Sequence, residues 1–394
     1  MPDTMPTALH QRLADRGVTL LLPDTIEIGG EIDPGRISGD GVVIHPGCRL
    51  RGAGTVIGPG CQLGAEAPMT LDGCALGARV QLKGGYAAGS VFLDDSSLGS
   101  SAQVREACLL EEESGAAHAC GLKQTILFPY AQLGSLINFC DALLAGGTSR
   151  HDHSEVGSGY IHFNFTPRGD KATASLFGDV PRGVFLRQPR IFLGGQGGAV
   201  GPVRVGFGTV VAAGLILHED VPDGTWRTDA EPLVPDASDA HLRRVVANDI
   251  AYLGQIAALR LWYDAVRRPY LAATPLGALV LEAALRTLDA ARAERVKRLR
   301  ELAGVITPKT PARRQFQERA AAVTDAILAC QPRLDEPVVA ALTAGAAQPG
   351  TTYLAAVKAL PDEAVAAGVA WLSGVVEDIR RAALAPIPGL DLPA

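Results

Sequence analysis

The sequence predicts a left-handed parallel β-helix of hexapeptide repeats over residues 17–235, preceded by an extension, 1–16, and followed by an α-helical domain, 236–394. Three observations predict it. Aliphatic or small residues recur every six positions, at Leu98, Val104, Leu110, Ala116 and Leu122, and again at Val205, Val211 and Leu217. Glycine often follows the aliphatic residue, as in Ile57-Gly58, Leu76-Gly77, Leu98-Gly99, Leu133-Gly134 and Val156-Gly157. From about Asp236 glycine thins out, and Ala, Leu and Arg dominate with apolar residues at helical spacing, among them Leu242, Val245, Val246, Ile250 and Leu253.

Met1 to Arg16 has no basic flank followed by an apolar core, and no stretch approaches the ~20 continuous apolar residues of a membrane span, so a cytoplasmic protein is expected. From Gly17, six residues of strand and turn make one side of a triangular coil, with the aliphatic residue inward and a small neighbour at the corner. Three sides make a coil of eighteen, and coils stack at the ~4.8 Å strand spacing. A glycine-rich β-sandwich would alternate with period two instead. Beyond Ala237 helices are expected near 238–268, 275–303, 311–331 and 361–384, punctuated by Pro269, Pro275, Pro308, Pro311, Pro332, Pro337 and Pro361. The basic run Arg292, Arg295, Lys297, Arg298 and Arg300 reads as a solvated helix face.

With 394 residues and 47% hydrophobic content the chain can bury a large core. Its net charge of -6 leaves no overall basic field for a nucleic acid. Seven cysteines, an odd number without a CxxC pair, argue against a disulfide framework or a thiolate zinc site.

The motifs narrow the expectation further. Ala102-Gln103-Val104-Arg105, Gly121-Leu122-Lys123, Ile161-His162-Phe163-Asn164-Phe165 with the loop to Lys171, and the Gly/Ala runs at 192–203 and 211–214 resemble the acetyltransferase domain of bacterial bifunctional glucosamine-1-phosphate acetyltransferase/N-acetylglucosamine-1-phosphate uridyltransferases. The resemblance spans Gly17 to Val221. It implies a homotrimer with sites between adjacent prisms, acetyl-CoA or another acyl-CoA as co-substrate, and a sugar phosphate or nucleotide-sugar as acceptor. It further implies that Arg105 and Lys123 meet the sugar-linked phosphate. Asn164, Phe165 and Lys171 would grip the amino sugar, and Gly195, Gly197, Ala212 and Ala213 would line the acetyl-CoA coils. Independently, Arg105 and Lys123 are eighteen residues apart, so one coil separates them and a phosphate can bridge the two stacked cations. The uridyltransferase half would need a nucleotide-binding domain ahead of Gly17, so no pyrophosphorylase activity is expected.

Two departures stand out. The resemblance places a general-base histidine twelve residues beyond the lysine; here that position is Ser135, and Asn138 stands where the family has a sugar-contacting tyrosine. About six extra residues follow, around Ser149-Arg150-His151-Asp152-His153-Ser154-Glu155. His153 lies eighteen residues after Ser135 and would stack on it in an unbroken helix. Three readings of the segment stay open: a relocated acid/base made of His153 and His151, a weak divalent-metal site, and a solvated loop. The second departure, 178–190, adds Arg182 and Arg187, suited to a diphosphate or a nucleotide phosphate. The expected function is acyl-CoA-dependent acylation of a phosphorylated or nucleotide-linked amino sugar. The alternative is a sugar-phosphate or nucleotide-sugar binding or regulatory protein that has lost the catalytic histidine.

Overall fold

A computed structural model of the chain describes residues 8–164, 171–229, 239–347, 350–388, 390 and 392. After α1 (Ala8–Asp15) the chain winds into a parallel β-solenoid of about 11 turns with three faces. Face A is a ladder of strands from Thr19–Leu20 to Trp226–Arg227, stacked in chain order. Its register, Leu82↔Leu98↔Ala116↔Leu133, keeps the aliphatic residues of successive coils in line. Face B runs from Glu27–Ile28 to Ile216–Leu217 and face C from Val56–Ile57 to Arg204–Val205; the long strands Gly121–Leu127 and Asn138–Leu144 cross the edge between these two faces.

The period of six is also written in the backbone. Asp95, Ser101, Ala107, Glu113 and Ala119, each six residues after the last, have positive φ and turn the corners. The glycines that follow aliphatic residues serve mainly a different purpose: coils approach so closely there that a Cβ on Gly58 would lie 2.2 Å from Gly77 O, and one on Gly157 2.3 Å from Gly195 N.

Face C differs from face A in a way that fixes the rest of the architecture. On face A the outward residue is solvent-facing and in many strands polar, as in Gln62-Leu63, Gln81-Leu82, Ser97-Leu98 and Gln132-Leu133, with Phe192 and Trp226 as exposed apolar exceptions on the upper coils. On face C, below its last strand Arg204–Val205, both residues are apolar and buried, as in Val56-Ile57, Ala75-Leu76, Val91-Phe92 and Leu109-Leu110. A strand buried on both sides reads as a continuous apolar run rather than an alternating one.

The cover is the helical region. It comprises α2 (Val180–Gly183), inserted between coils, then α3 (Asp239–Trp262), continued by a π turn over Tyr263–Arg267, α4 (Arg268–Ala272), α5 (Gly277–Val305), α6 (Pro311–Ala329), α7 (Glu336–Thr343), α8 (Tyr353–Lys358) and α9 (Asp362–Leu384). The four long helices fall where the apolar periodicity places them. The short α7 and α8 escape it, being too brief to display a period. Helix α5 crosses strands Ala75–Leu76 and Val91–Phe92, and α3 packs on Ser175–Phe177. Each outward Val, Leu or Ile so covered contributes roughly 1.5–3 kcal/mol of burial.

Polar clasps frame this junction. The Arg267 guanidinium donates to Glu112 at 2.6 and 2.9 Å and lies 3.2 Å from Glu111, while the Tyr263 hydroxyl donates to Glu111 at 2.6 Å. Arg267 is stacked between the Tyr263 and Tyr353 rings, and burial pushes the Glu111 carboxyl up to about 7 against the pull of that guanidinium. At the opposite edge of face C, Arg295 of α5 pairs with Asp141.

Candidate functional site

The B/C edge gathers the residues expected to hold a phosphorylated sugar. Val104 pairs with Leu122, so Arg105 and Lys123, the next residue in each coil, stand one strand spacing apart on the same edge. Arg105 is exposed. Lys123 is already engaged by the Glu106 carboxylate at 2.8 Å, and the hydrogen bond from that ammonium is the main reason Glu106 titrates below the usual carboxylate range. An anion placed between the two cations would compete with Glu106 for Lys123. Cys140, level with Lys123, donates its thiol to Asn138 Oδ1 at 3.1 Å, and burial, its main influence, pushes that thiol up.

Asn164 and Lys171 lie on the same edge, where the chain leaves face B after Ile161–Phe163 and returns to face C at Ser175–Phe177. Lys171 is exposed; Phe165 lies outside the described residues. The Asn164 amide donates to Asp141 Oδ2 at 2.6 Å, and Asp141, in the left-handed conformation with φ 56, takes Arg295 on its other oxygen. The helical region thus holds Asn164 from behind, through one carboxylate. The neighbouring His162 is fully buried: its Nδ1 lies 2.6 Å from Cys140 O and its Nε2 2.7 Å from Ser175 Oγ, and burial lowers it to about 4, leaving a neutral core imidazole. Asp249 completes the cluster. Burial raises its carboxyl to about 7, and among the described residues neither oxygen has a hydrogen-bond donor.

The A/B edge carries a second column. The register Ala116↔Leu133 places His118 directly below Ser135, and Leu136 N donates to His118 O at 2.9 Å. Above them Ser135 N donates to Ser158 Oγ at 3.0 Å, Gln196 N to Ser158 O at 2.7 Å, and Gly214 N to Gly195 O at 2.9 Å. Gly195, Gly197, Ala212 and Ala213 therefore sit on the upper coils of the edge that holds Ser135. On the lower coils the longer corner at Glu66 reaches upward: its carboxylate lies 3.0 Å from Lys83 Nζ and 3.7 Å from His118 Nε2. His118 was not among the residues expected to act. The signal was its spacing of seventeen residues before Ser135, one residue short of a regular coil.

The C/A edge receives the remaining candidates, and here the expected geometry is corrected. The eighteen-residue spacing of Ser135 and His153 does not become a stack, because the extra residues fold out as an antiparallel hairpin, Gly147–Ser149 against Asp152–His153, before the coil resumes at Glu155–Val156. Ser158, not His153, stands over Ser135. His153 Nδ1 lies 2.8 Å from Arg150 O, its Nε2 4.0 Å from Glu155, and His151 is exposed at the hairpin tip. No group of three or more His, Cys, Asp or Glu able to hold a metal occurs among the described residues. Arg182 and Arg187, expected to meet a nucleotide phosphate, have partners inside the chain. Arg182 is bound by Asp179 and Asp223 over the Phe207 ring, and Arg187 joins Asp362 and the Leu360 carbonyl of the helical region.

Among the described residues no helix is long and apolar enough to cross a membrane. No family profile matches the chain. The bifunctional protein GlmU of Thermotoga maritima is 27% identical over 133 residues, 34% of this chain and 26% of the relative. That of Nitratidesulfovibrio vulgaris (strain DP4) is 28% identical over 129 residues, 33% of this chain and 24% of the relative. The chain thus spans about a quarter of the length of these relatives. Among solved structures, the polySia specific acetyltransferase NeuO aligns over 57% of this chain and 88% of its own, with a TM-score of 0.16 and 7% identity. The β-solenoid resembles the hexapeptide-repeat acetyltransferase domain of the GlmU proteins.

Proposed function

We propose that the chain is an acyltransferase of the hexapeptide type, transferring an acyl group from acyl-CoA to the amine of a phosphorylated or nucleotide-linked amino sugar, at sites completed by neighbouring copies in a homotrimer. The observation that carries this reading is the distribution of the candidate residues on the two edges that flank face B. Arg105, Lys123, Asn164 and Lys171 occupy the B/C edge, whereas Ser135, Gly195, Gly197, Ala212 and Ala213 occupy the A/B edge. A triangular prism keeps these edges apart within one chain. Three prisms around a three-fold axis, each with face B inward, bring the A/B edge of one against the B/C edge of the next. The helices already occupy face C, and face B exposes Ile161, Phe163 and Ile216, apolar groups suited to a shared interface.

In this arrangement the cationic edge holds the phosphate by exchange with Glu106, and Asn164 offers its carbonyl oxygen to the sugar while Asp141 fixes its amide. Small residues on the facing edge let the pantetheine arm lie against the backbone. Incubation with acetyl-CoA and glucosamine 1-phosphate or UDP-linked amino sugars, followed by free thiol, tests the proposal. Thioester consumption in the presence of one acceptor is expected; none across a broad amine panel overturns it.

Ser135, in the slot of the base, favours a second reading, a binding protein that grips sugar phosphates without acylating them. Thermal shift separates the two. Sugar phosphates stabilise both, and CoA stabilises only the acyltransferase.

A further inference from the structure

We infer that His118, backed by Glu66, is the general base of the acyl transfer, an assignment that rests on the acyltransferase reading. The reaction needs a group that takes a proton from the acceptor amine as it attacks the thioester. A serine hydroxyl at position 135 cannot do so near neutral pH without a base of its own. The side chain stacked directly beneath Ser135 is an imidazole, one strand spacing away on the same edge and 63% exposed.

The surroundings of that imidazole are suited to the task. Glu66 Oε2 lies 3.7 Å from Nε2, so the carboxylate favours the tautomer with its proton on Nε2 and stabilises the imidazolium once formed, while among the described residues Nδ1 has no protein partner. Glu66 is itself held by Lys83 at 3.0 Å, and its hydrogen bond with that ammonium, foremost, lowers its carboxyl from the usual range. Two histidines the sequence brings to mind lie elsewhere. His162 is sealed in the core on face B, and His153 occupies a hairpin on the C/A edge.

The step balances within the two substrates and this one side chain. The amine nitrogen forms its bond to the acyl carbon and passes one proton to Nδ1 of His118. As the tetrahedral intermediate collapses the carbon–sulfur bond breaks, and the departing sulfur takes that proton, leaving an amide, free CoA thiol and a neutral imidazole. Glu66 acts through His118 and is a positioning residue.

The test uses the full chain with acetyl-CoA and an acceptor on which the wild type turns over. His118→Ala and His118→Gln are expected to lower kcat by ~100-fold or more with both KM values within a few-fold. Glu66→Gln should lower kcat several-fold at unchanged KM. Ser135→His in the His118→Ala background should recover much of the lost turnover by returning an imidazole to the adjacent coil, which a merely structural role for His118 would not permit. His45→Ala, lower on the same edge, serves as the control and should behave as wild type. His118→Ala turning over within threefold of wild type overturns the inference, as does a large kcat loss in His153→Ala with His118→Ala intact. Wild-type inactivity on every acceptor instead sinks the acyltransferase reading.

Discussion

Replacing Arg267 by alanine tests how the helical region is held on the solenoid. The guanidinium is 1% exposed and pairs with two carboxyl groups, Glu111 and Glu112, themselves 2% and 10% exposed. Removing it leaves two buried carboxyls facing each other, a change that costs about 3–5 kcal/mol when one partner of a buried pair is lost. The contacts with the Tyr263 and Tyr353 rings disappear as well. The loss is expected to depend on pH. In the wild type Glu111 titrates near 7, above its unfolded value of about 4.3, so its contribution is fully present below pH ~4.3 and declines as pH rises through 7. Without the arginine Glu111 loses the charge that pulls its proton off and holds it to higher pH, so the decline extends upward. Urea or thermal unfolding followed by circular dichroism at pH 5.5 and pH 8 should therefore show the larger destabilisation at pH 8. The companion Arg267→Met/Glu111→Gln/Glu112→Gln should regain most of it, since a matched buried pair gains little over well-packed neutral groups. A loss below ~1 kcal/mol at pH 8, or an equal loss at both pH values, would refute the reasoning.

Three further outcomes follow from the same geometry. Asp249, raised by burial to about 7 from an unfolded value near 3.9, stabilises at low pH and loses that contribution as pH rises through 7, so Asp249→Asn should flatten the fall in melting temperature between pH 5 and 8. An unchanged slope would mean that the carboxyl is ionised in the native state. Ile161→Glu places a charge on the outward side of face B and, if the proposed trimer forms through that face, should shift sedimentation toward monomer; a trimer with an unaltered profile removes face B from the interface. Gly157→Ala pushes a methyl group 2.3 Å from Gly195 N and should destabilise by at least ~1–3 kcal/mol, read as a lower urea midpoint, whereas Gly214→Ala, with open space at its Cβ, isolates the effect of backbone conformation alone at φ 77.

Much of the solenoid was legible because its physics is local and repetitive. An inward position tolerates only aliphatic or small side chains, so Leu98, Val104 and Leu110 announce the period, and any two residues eighteen apart in regular coils share an edge. That is why Arg105 and Lys123 could be placed together. The same arithmetic misplaced His153, since the hairpin at 147–153 absorbs residues without advancing the coil. It also passed over His118, one residue short of the regular spacing. The tertiary role of the helices was written in the doublets Val56-Ile57, Ala75-Leu76 and Val91-Phe92, whose outward members are too apolar for a solvated face. The basic run on α5 shows why the rest stayed hidden. Arg298 and Arg300 are surface groups paired with Glu294, Glu301 and Asp325, yet Arg295 in their midst is buried against Asp141. Nothing in its local sequence distinguishes it, because its partner is 154 residues away.

The doubly buried face has a practical consequence for anyone dissecting this protein. Cut after residue 229, the chain would retain every coil and every backbone ladder, and so look like a self-sufficient unit. It would also bare a strip of Val56, Val91, Leu109, Ile126, Leu143 and Leu176 along a flat, regular wall, a surface that recruits other exposed apolar surfaces. The helices act in effect as a tethered chaperone that never leaves. Fragments lacking them should be handled as aggregation-prone material, and a loss of activity in such a fragment would say nothing about which half does the chemistry.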